Sequence, residues 1–347
     1  MNKEITSSLM YVKNIQGIQR RKQGRSFVYY SPAGKKITDP KVLERIKTLA
    51  IPPAYTKVWI CPYENGHIQA MGRDSKNRKQ YIYHPLWVKL RENVKFRSLL
   101  DFGRSLSSLR KKINEEIKKP PSLDKNQIIC SVLFLVDNYS VRIGNQVYAK
   151  KNKTFGVTTL RKKHMQHKKK SVTFKFLGKN KHLWNFEVEE KNVVKILKCC
   201  GQIPGYEIFK YYKEHQELGV VTSQDVNEYL YAVTQHHFTA KDFRTWIATR
   251  EFFSRALKLL EIKNLRMKHI KNSLLEVANL LGHTPTICKD SYIAPQIWEW
   301  LNNGKLLQWK YKNKKFIQNK NSEEILLLWL ETVYSSASQN DKFPKYS

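Results

Sequence analysis

A histidine, a tyrosine and three basic residues have the types and surroundings that phosphate chemistry requires. His283 lies nine residues before Tyr292 in a strongly basic chain. Upstream, Arg142, Lys179 and Arg244 stand in local patterns that favour a fixed position over a solvated surface. Together these five side chains suggest a site at which a tyrosine attacks a phosphodiester.

Metal-free cleavage of a phosphodiester needs three kinds of group. Charge spreads over the non-bridging oxygens in the transition state, and arginine offers planar bidentate donors for it. Arg142, Arg244 and His283 can fill this role. A hydroxyl must act as nucleophile, and the departing sugar oxygen needs a proton, which a partly desolvated lysine among other cations can supply. The pattern assigns Tyr292 and Lys179 to these two tasks.

Each residue also has a simpler interpretation. The histidine follows a glycine and could cap a helix, while the lysine could be an ordinary turn residue. Arg142 and Arg244 could pair with buried carboxylates such as Asp137 and Asp242. The catalytic hypothesis rests on the joint fit of the five side chains to one reaction.

The composition predicts a polyanionic partner. The chain has 63 Lys and Arg against 29 Asp and Glu, a formal net charge of +34 over 347 residues. Ribosomal and membrane-surface proteins are basic too. However, 41% hydrophobic and 12% aromatic residues are enough for real cores, which excludes a disordered basic tail and fits two or three domains.

No targeting segment, membrane span or metal site is predicted. The N-terminal segment has no apolar core, and no run of about 18 apolar residues occurs, so we expect a soluble protein that is not secreted. The five cysteines are scattered without C-x-x-C spacing, which indicates inert thiols in a reducing compartment rather than disulfides or zinc. They are Cys61, Cys130, Cys199, Cys200 and Cys288.

The first ninety or so residues read as a small antiparallel sheet with one helix. Asp39-Pro40 has the form of an N-cap and first helical residue. Strands are predicted at residues 27–30, 58–61, 67–71 and 80–84. In the last strand Tyr81 and Tyr83 share one face, just after a cluster of cations at Arg73, Lys76, Arg78 and Lys79. These residues suit a groove against DNA, but two tyrosines over a small core beside a solvated turn fit equally well.

From about residue 93 the period becomes helical, so a boundary is expected between Lys89 and Lys95. A buried helix over residues 128–136 should end near Gly144, with Arg142 in its last turn. Three strands are predicted at 157–160, 172–176 and 183–188. A tight turn at residues 178–181 would hold Lys179 at the tip of the sheet, and the basic run 162–170 is interpreted as a solvated loop.

Two later helices carry the remaining candidates. Thr239 and Asp242 resemble a capping box, which places Arg244 in the second turn of the helix that follows. Another helix should open at Ser273 and stop at Gly282. Thr284-Pro285 can then begin a helix that carries Tyr292 about two turns along.

The predicted fold is therefore α+β. Residues 1–92 form a small antiparallel β-sheet domain. Residues 93–347 form a larger, mainly α-helical domain with a small three-stranded sheet.

Several segments, in order, resemble the poxvirus and bacterial group of type IB DNA topoisomerases over roughly residues 15 to 300. The matching segments are Ile51–Tyr55, Val58–Pro62, Gly66–Ala70, Gly72–Asp74, Lys79–Tyr81, Val141–Asn145, Tyr148, Gly156–Leu160, Gly178–Lys179, Lys241–Thr245 and Gly282–Pro285 with Tyr292. The match is specific, because these separate segments occur in the family's order.

The resemblance implies roles for individual residues. Tyr292 would form a 3′-phosphotyrosyl link, Lys179 would be the general acid at the 5′ oxygen, and Lys241 would assist. Arg142, Arg244 and His283 match the transition-state stabilisers. The remaining matches are DNA contacts, at Arg78, Gln80, Tyr81 and Tyr83 in the first domain, with Lys76 beside them, and at Tyr148 near the active site. Asn180 stands where the poxvirus branch has an aspartate, so this chain lacks that carboxylate.

The resemblance also implies a monomer that clamps double-stranded DNA and relaxes supercoils of either sign without a cofactor, metal or ATP. Such a protein would act inside cells with DNA, in a bacterial nucleoid or at a viral replication site and in the virion. A tyrosine recombinase is the alternative enzyme, although that group usually has H-x-x-R where Lys241 precedes Arg244. A non-catalytic basic protein that binds DNA or RNA is the alternative outside enzymes.

Overall fold

The computed structural model describes residues 8–213 and 217–334. These residues form two compact units, which meet in sequence between Arg97 and Ser98. The helix α2 (Pro85–Lys118) begins in the first unit and ends in the second. Helical structure therefore starts earlier than residue 93. The assignment of the first unit to DNA clamping and of the second to catalysis stays a prediction.

The first unit is a five-stranded antiparallel sheet with one helix. Its strands have the order β2-β1-β3-β4-β5. They are β1 (Ile18–Gln23), β2 (Ser26–Tyr30), β3 (Thr56–Ile60), β4 (Ile68–Arg73) and β5 (Lys79–Tyr83), and the helix is α1 (Pro40–Thr48). The sequence interpretation missed β1, because five of its six residues are polar and only Ile18 is buried.

The helix α1 begins as its sequence predicts. The Asp39 carboxylate accepts the backbone N–H of Lys41 at 2.9 Å, and Pro40 occupies the first helical position. Ile46 from α1 then packs with Ile18 and Ile60 of the sheet, in a core of four buried residues that also includes Ala70. Burial of one helix face against one sheet face is the usual way for such a small unit to exclude water.

The second unit is mainly helical, with a central helix α7. Its helices are α3 (Lys125–Tyr139), α4 (Gln146–Asn152), α5 (Lys191–Gln202), α6 (Ser223–Thr234), α7 (Ala240–Leu259), α8 (Met267–Leu280), α9 (Pro285–Tyr292), α10 (Pro295–Asn302), α11 (Lys305–Lys312), α12 (Lys314–Ile317) and α13 (Ser322–Tyr334). Phe243, Trp246 and Phe253 of α7 are almost fully buried. The helix thus forms the core against which its neighbours pack.

Two small sheets complete the second unit. One is antiparallel, with the order β6-β7-β8, and contains β6 (Met165–His167), β7 (Val172–Leu177) and β8 (Leu183–Val188). The other pairs β9 (Lys210–Tyr212) with β10 (Leu218–Val220). The predicted α+β class is confirmed, with one sheet unit and one mainly helical unit that carries a three-stranded sheet.

Three local predictions were wrong. Residues 157–159 form a 3₁₀ turn and no strand, because the Thr159 hydroxyl bonds to Gly156 and the Thr158 hydroxyl donates to the Ile143 carbonyl at 2.9 Å. The third strand comes instead from the basic run, whose residues 165–167 form β6. The helix α8 begins at Met267, and Ser273 is buried in its middle.

Candidate active site

Arg244 is the most buried member of the predicted site. It lies in the second turn of α7, as the capping box predicts, because the carboxylate of Asp242 accepts the Thr239 N–H at 2.7 Å. Its side chain is only 2% exposed. Its guanidinium donates to the backbone carbonyls of Ser140 and, at 2.7 Å, of Leu281. The buried Arg244 side chain thus links α7 to the backbone at Ser140 and at Leu281.

The predicted position of Arg142 in a helix was wrong. The helix α3 ends at Tyr139, and Ser140 adopts a left-handed conformation with φ of 54°. The chain leaves the helix at this residue, and the Ser140 carbonyl accepts a hydrogen bond from the Arg244 guanidinium. Arg142 lies beyond this turn, where its Nη2 is 3.4 Å from the Gly282 carbonyl oxygen and 3.1 Å from His283 Nε2.

The two arginines meet at His283. Arg244 Nη2 lies 2.9 Å from His283 Nε2, close to the contact that Arg142 makes with the same ring. Burial, and then the charges of both arginines, lower the pKa of His283 to about 3. The ring is therefore neutral at neutral pH and can accept an arginine N–H.

Tyr292 lies against this cluster. Its ring centroid is 4.5 Å from that of His283, and the Arg244 guanidinium carbon is 5.6 Å from the tyrosine centroid. Tyr292 is the last residue of α9, which begins after the N-cap Thr284 with a proline at its start, as predicted. The Thr249 hydroxyl of α7 donates to the Tyr292 carbonyl oxygen at 3.0 Å and accepts the Ala294 N–H at 3.3 Å.

Both arginines keep donors without a protein partner. Arg142 Nη1 and Arg244 Nε are buried and find no hydrogen-bond acceptor within residues 8–213 and 217–334. Burial, followed by the charge of Arg142, lowers the pKa of Arg244 to about 10, so the side chain still carries its charge at neutral pH. Two buried cations with unused donors are costly unless an anion joins them.

The simpler interpretation of the arginines was wrong. Asp137 pairs with Arg110 at 2.6 Å, and Asp242 serves in the cap of α7. In the described part of the chain, neither Arg142 nor Arg244 forms an ion pair with a carboxylate. Their charges are thus not balanced by a carboxylate of the described residues.

Lys179 lies in the predicted turn between β7 and β8. The turn is a short 3₁₀ segment, Lys179–Lys181, in which Asn180 and Lys181 have φ of 62° and 59°. The Lys179 side chain is exposed, and its charge is among the causes that lower the pKa of His283. The turn therefore brings the lysine into the electrostatic range of the arginine cluster.

The sequence interpretation missed His182, which ends this turn. The Gly178 N–H donates to the His182 carbonyl at 2.8 Å, and the His182 ring lies against Gly282. Burial, and then the charges of Arg142 and Arg244, lower the pKa of His182. A histidine three residues after the candidate lysine was the only available signal.

Lys241 and Tyr148 occupy exposed positions in the second unit. The Lys241 ammonium is 5.8 Å from the Tyr292 ring centroid, so the structure brings Lys241 to the cluster. Tyr148 lies in the first turn of α4, where Asn145 caps the helix, and its side chain is 56% exposed. A DNA contact by Tyr148 stays a prediction.

The other predicted DNA contacts lie on the first unit. Asp74 organises the β4–β5 turn, because its carboxylate accepts from Arg78 Nε at 2.7 Å and from Gln80 Nε2 at 3.0 Å. Its pKa is lowered by these bonds, that from Arg78 foremost. Lys76 is exposed at the tip of the turn. The structure thus presents a basic turn of fixed shape.

Tyr81 and Tyr83 share a face of β5. Their rings stack with centroids 5.8 Å apart, and the Tyr81 side chain is 41% exposed. Ile82, between them, packs against the core of the unit instead. The tyrosines therefore form an outer face beside the basic turn, and their contact with DNA stays a prediction.

Within 8–213 and 217–334, no group of three or more His, Cys, Asp or Glu side chains has the arrangement of a metal site. In the same ranges, no helix is long and apolar enough to span a membrane. Four of the five cysteines are buried, and Cys199 is half-buried. What the site offers is a tyrosine hydroxyl beside fixed cations.

Comparisons with known proteins point to one family. A family model described as the catalytic core of eukaryotic DNA topoisomerase I matches residues 77–319, and one described as the N-terminal domain of bacterial DNA topoisomerase IB matches residues 26–74. The chain is 32% identical over 320 residues to DNA topoisomerase 1B of Acanthamoeba polyphaga mimivirus, covering 90% of this chain and 93% of that protein.

Poxvirus proteins are similar over much of their length. DNA topoisomerase 1B of Vaccinia virus (strain Copenhagen) is 27% identical over 299 residues, which are 82% of this chain and 90% of that protein. DNA topoisomerase 1 of Rabbit fibroma virus (strain Kasza) is 26% identical over 275 residues, which are 75% of this chain and 82% of that protein.

Proposed function

Because the chain belongs to the type IB DNA topoisomerases of the poxvirus and bacterial group, we propose that Tyr292 attacks a phosphodiester of duplex DNA. The tyrosine oxygen forms a bond to phosphorus while the bond from phosphorus to the 5′ oxygen breaks. The phenol proton passes to water, and Lys179 gives a proton to the departing 5′ oxygen. The product is a 3′-phosphotyrosyl link beside a free 5′ hydroxyl.

The arrangement of Arg142, Arg244 and His283 supports this proposal most directly. Both arginines contact a backbone carbonyl and a neutral histidine and keep a buried donor, and Arg244 and His283 lie against the Tyr292 ring. A phosphate with two non-bridging oxygens matches such donors in charge and geometry. Because the donors are already in place, they stabilise the transition state without reorganisation.

Resealing is the reverse reaction. The phosphotyrosyl bond retains the energy of the broken phosphodiester, so the 5′ hydroxyl can attack it without ATP. Between the two steps the free end rotates, which relaxes positive and negative supercoils. The fixed cations supply the charge stabilisation that a metal ion supplies in other phosphoryl-transfer sites. We propose that one monomer suffices, at the viral or bacterial DNA that it relaxes.

The central experiment is a relaxation assay on supercoiled plasmid in EDTA without ATP. Wild-type protein should relax the plasmid, and Tyr292→Phe should not, because the change removes only the hydroxyl. Tyr292→Phe should still bind DNA but form no covalent adduct after denaturant trapping. Tyr311→Phe is a matched control, since Tyr311 is an exposed tyrosine on α11. A trapped adduct that maps to another residue would refute the assignment.

The proton donor is tested with a modified substrate. Lys179→Ala should slow cleavage by roughly 10²–10⁴-fold, the usual contribution of a general acid. Sulfur at the bridging 5′ position should restore the rate, because a thiol with a pKa of about 8.5 leaves without a proton. Lys181→Ala, in the same turn, is the control and should cleave both substrates normally. Absence of sulfur rescue in Lys179→Ala would contradict the assignment.

A further inference from the structure

One half-buried histidine joins the turn that carries Lys179 to the segment that carries His283. His182 closes the turn through its backbone, since its carbonyl accepts the Gly178 N–H at 2.8 Å and its own N–H donates to the Lys179 carbonyl at 3.4 Å. Nothing in the proposed chemistry requires this residue. Its backbone is nevertheless held by hydrogen bonds through both its carbonyl and its N–H.

The His182 ring is wedged between two parts of the second unit. On one side it meets Trp184 edge to face, with centroids 5.0 Å apart, and Trp184 itself fills the space beside Gly178. On the other side it covers Gly282 so closely that a Cβ on that residue would lie 2.7 Å from the His182 ring. Glycine is therefore the only residue type at position 282 that leaves room for the His182 ring.

The covered segment is part of the phosphate-binding cluster. The Gly282 carbonyl oxygen is 3.4 Å from Arg142 Nη2, and the next residue is His283. Gly282 has φ of 60°, in the left-handed region, so its backbone is held in one sharp turn after α8. A ring pressed on this turn fixes the distance between the β7–β8 turn and the arginine cluster.

We propose that His182 is a positioning residue, whose ring holds the Lys179 turn against Gly282 before DNA binds. The proton donor and the phosphate-binding groups would then be assembled in the free protein. This inference rests on the proposed function, because it acts through Lys179. It adds a residue that acts on the reaction through Lys179.

Two cleavage substrates test the inference. His182→Ala should slow single-turnover cleavage of the ordinary 5′-oxygen substrate by about 10²-fold, the order expected when a catalytic group is displaced by about 1 Å. With the 5′-sulfur substrate it should cleave at close to the wild-type rate, because that reaction needs no proton donor. Adding His182→Ala to Lys179→Ala should cause no further loss. His182→Phe keeps a flat ring and should cleave both substrates at close to the wild-type rate.

The matched control is His167→Ala. His167 lies on β6 of the same small sheet, and its ring also covers a glycine, Gly201. It is outside the site, so its loss should leave both cleavage rates unchanged. If His182→Ala stays slow with sulfur while Lys179→Ala is rescued, the inference fails and the proposed function stands. If Lys179→Ala itself is not rescued, this inference and the assignment of Lys179 as proton donor both fail, while the attack by Tyr292 is still judged by the adduct experiment.

A measurement on the free wild-type protein does not depend on any variant. The Gly178 amide should exchange its hydrogen slowly in the absence of DNA, because it is bonded to the His182 carbonyl within a wedged turn. In His182→Phe the protection should persist. Exchange of the Gly178 amide at the rate of an unstructured peptide would overturn the inference, whatever the cleavage rates.

Discussion

Replacing Glu323 with alanine should destabilise the second unit by about 3 kcal/mol at neutral pH, with most of the loss absent in acid. The carboxylate of Glu323 accepts from Arg110 Nη1 at 2.6 Å, from Arg250 Nη1 at 2.8 Å and from Trp246 Nε1 at 3.0 Å. It is 23% exposed. One side chain of α13 thus ties α2 and α7 together.

The magnitude follows from the acidity of the group. Burial alone would raise the pKa of Glu323, but hydrogen bonds from its two arginines and from Trp246 outweigh it and lower the pKa from 4.5 to about 2. One pKa unit corresponds to about 1.36 kcal/mol, so this difference is about 3 kcal/mol. Because the folded pKa lies below the unfolded one, the stabilisation is complete above pH 4.5 and is lost as pH falls towards 2.

Urea unfolding at several pH values measures this effect. The difference between wild type and Glu323→Ala should be largest at pH 7 and should shrink as pH falls from about 4.5 towards 2. Glu331→Ala is the control on the same helix, since its ion pair with Arg104 is 41–52% exposed and should contribute less than about 1 kcal/mol. A Glu323→Ala difference that stays constant from pH 7 to pH 2.5 would refute the reasoning.

Two further predictions concern DNA affinity and backbone packing. Lys76→Ala should lower the slope of log affinity against log salt concentration by about one. Arg78→Ala should lower this slope less, because Arg78 is already paired with Asp74 at 2.7 Å. Equal slopes for Lys76→Ala and wild type would place the turn away from DNA. Gly156→Ala should lower the melting temperature and slow cleavage, because its Cβ would lie 2.5 Å from the Arg142 carbonyl oxygen and overpacking costs about 1–3 kcal/mol. Normal cleavage by Gly156→Ala would show that the backbone yields without moving Arg142.

Local signals in the sequence predicted helix starts well. Asp39, Thr239 and Thr284 each begin a helix where the pattern placed one. In each case a short side chain satisfies N–H groups a few residues away, so the information lies within one turn. The turn that carries Lys179 was also predictable, because the glycine and asparagine that favour a tight turn are near neighbours in sequence.

Features set by tertiary contacts escaped prediction. The left-handed Ser140, which ends α3 and directs Arg142 away from the helix, is not marked by a glycine, and its carbonyl is occupied by Arg244 from far along the chain. Residues 157–159 have strand-like types, yet hydroxyl bonds of Thr158 and Thr159 bend them into a turn. Such bonds depend on neighbours that periodicity cannot reveal.

The site itself was predicted only in part. Chemistry predicted five candidate side chains with their roles, the resemblance implied the same roles, and the structure brings Arg142, Arg244, His283 and Tyr292 into one cluster. The ring of His182 was missed, because its importance lies in the space that it fills over Gly282. Packing of this kind leaves no pattern along a single chain.

The hydroxyl of Thr249 has a mechanical consequence under the proposed reaction. While the free 5′ end rotates, the strand that stays linked to Tyr292 pulls on the end of α9, and there the Thr249 hydroxyl holds both the Tyr292 carbonyl and the Ala294 N–H. Thr249 lies on α7, the helix that also carries Arg244. Tension on the linked strand would thus pass into the helix that carries Arg244. Under the proposed reaction Tyr292 and Arg244 would then move together under load, and the linked end would stay in place for resealing.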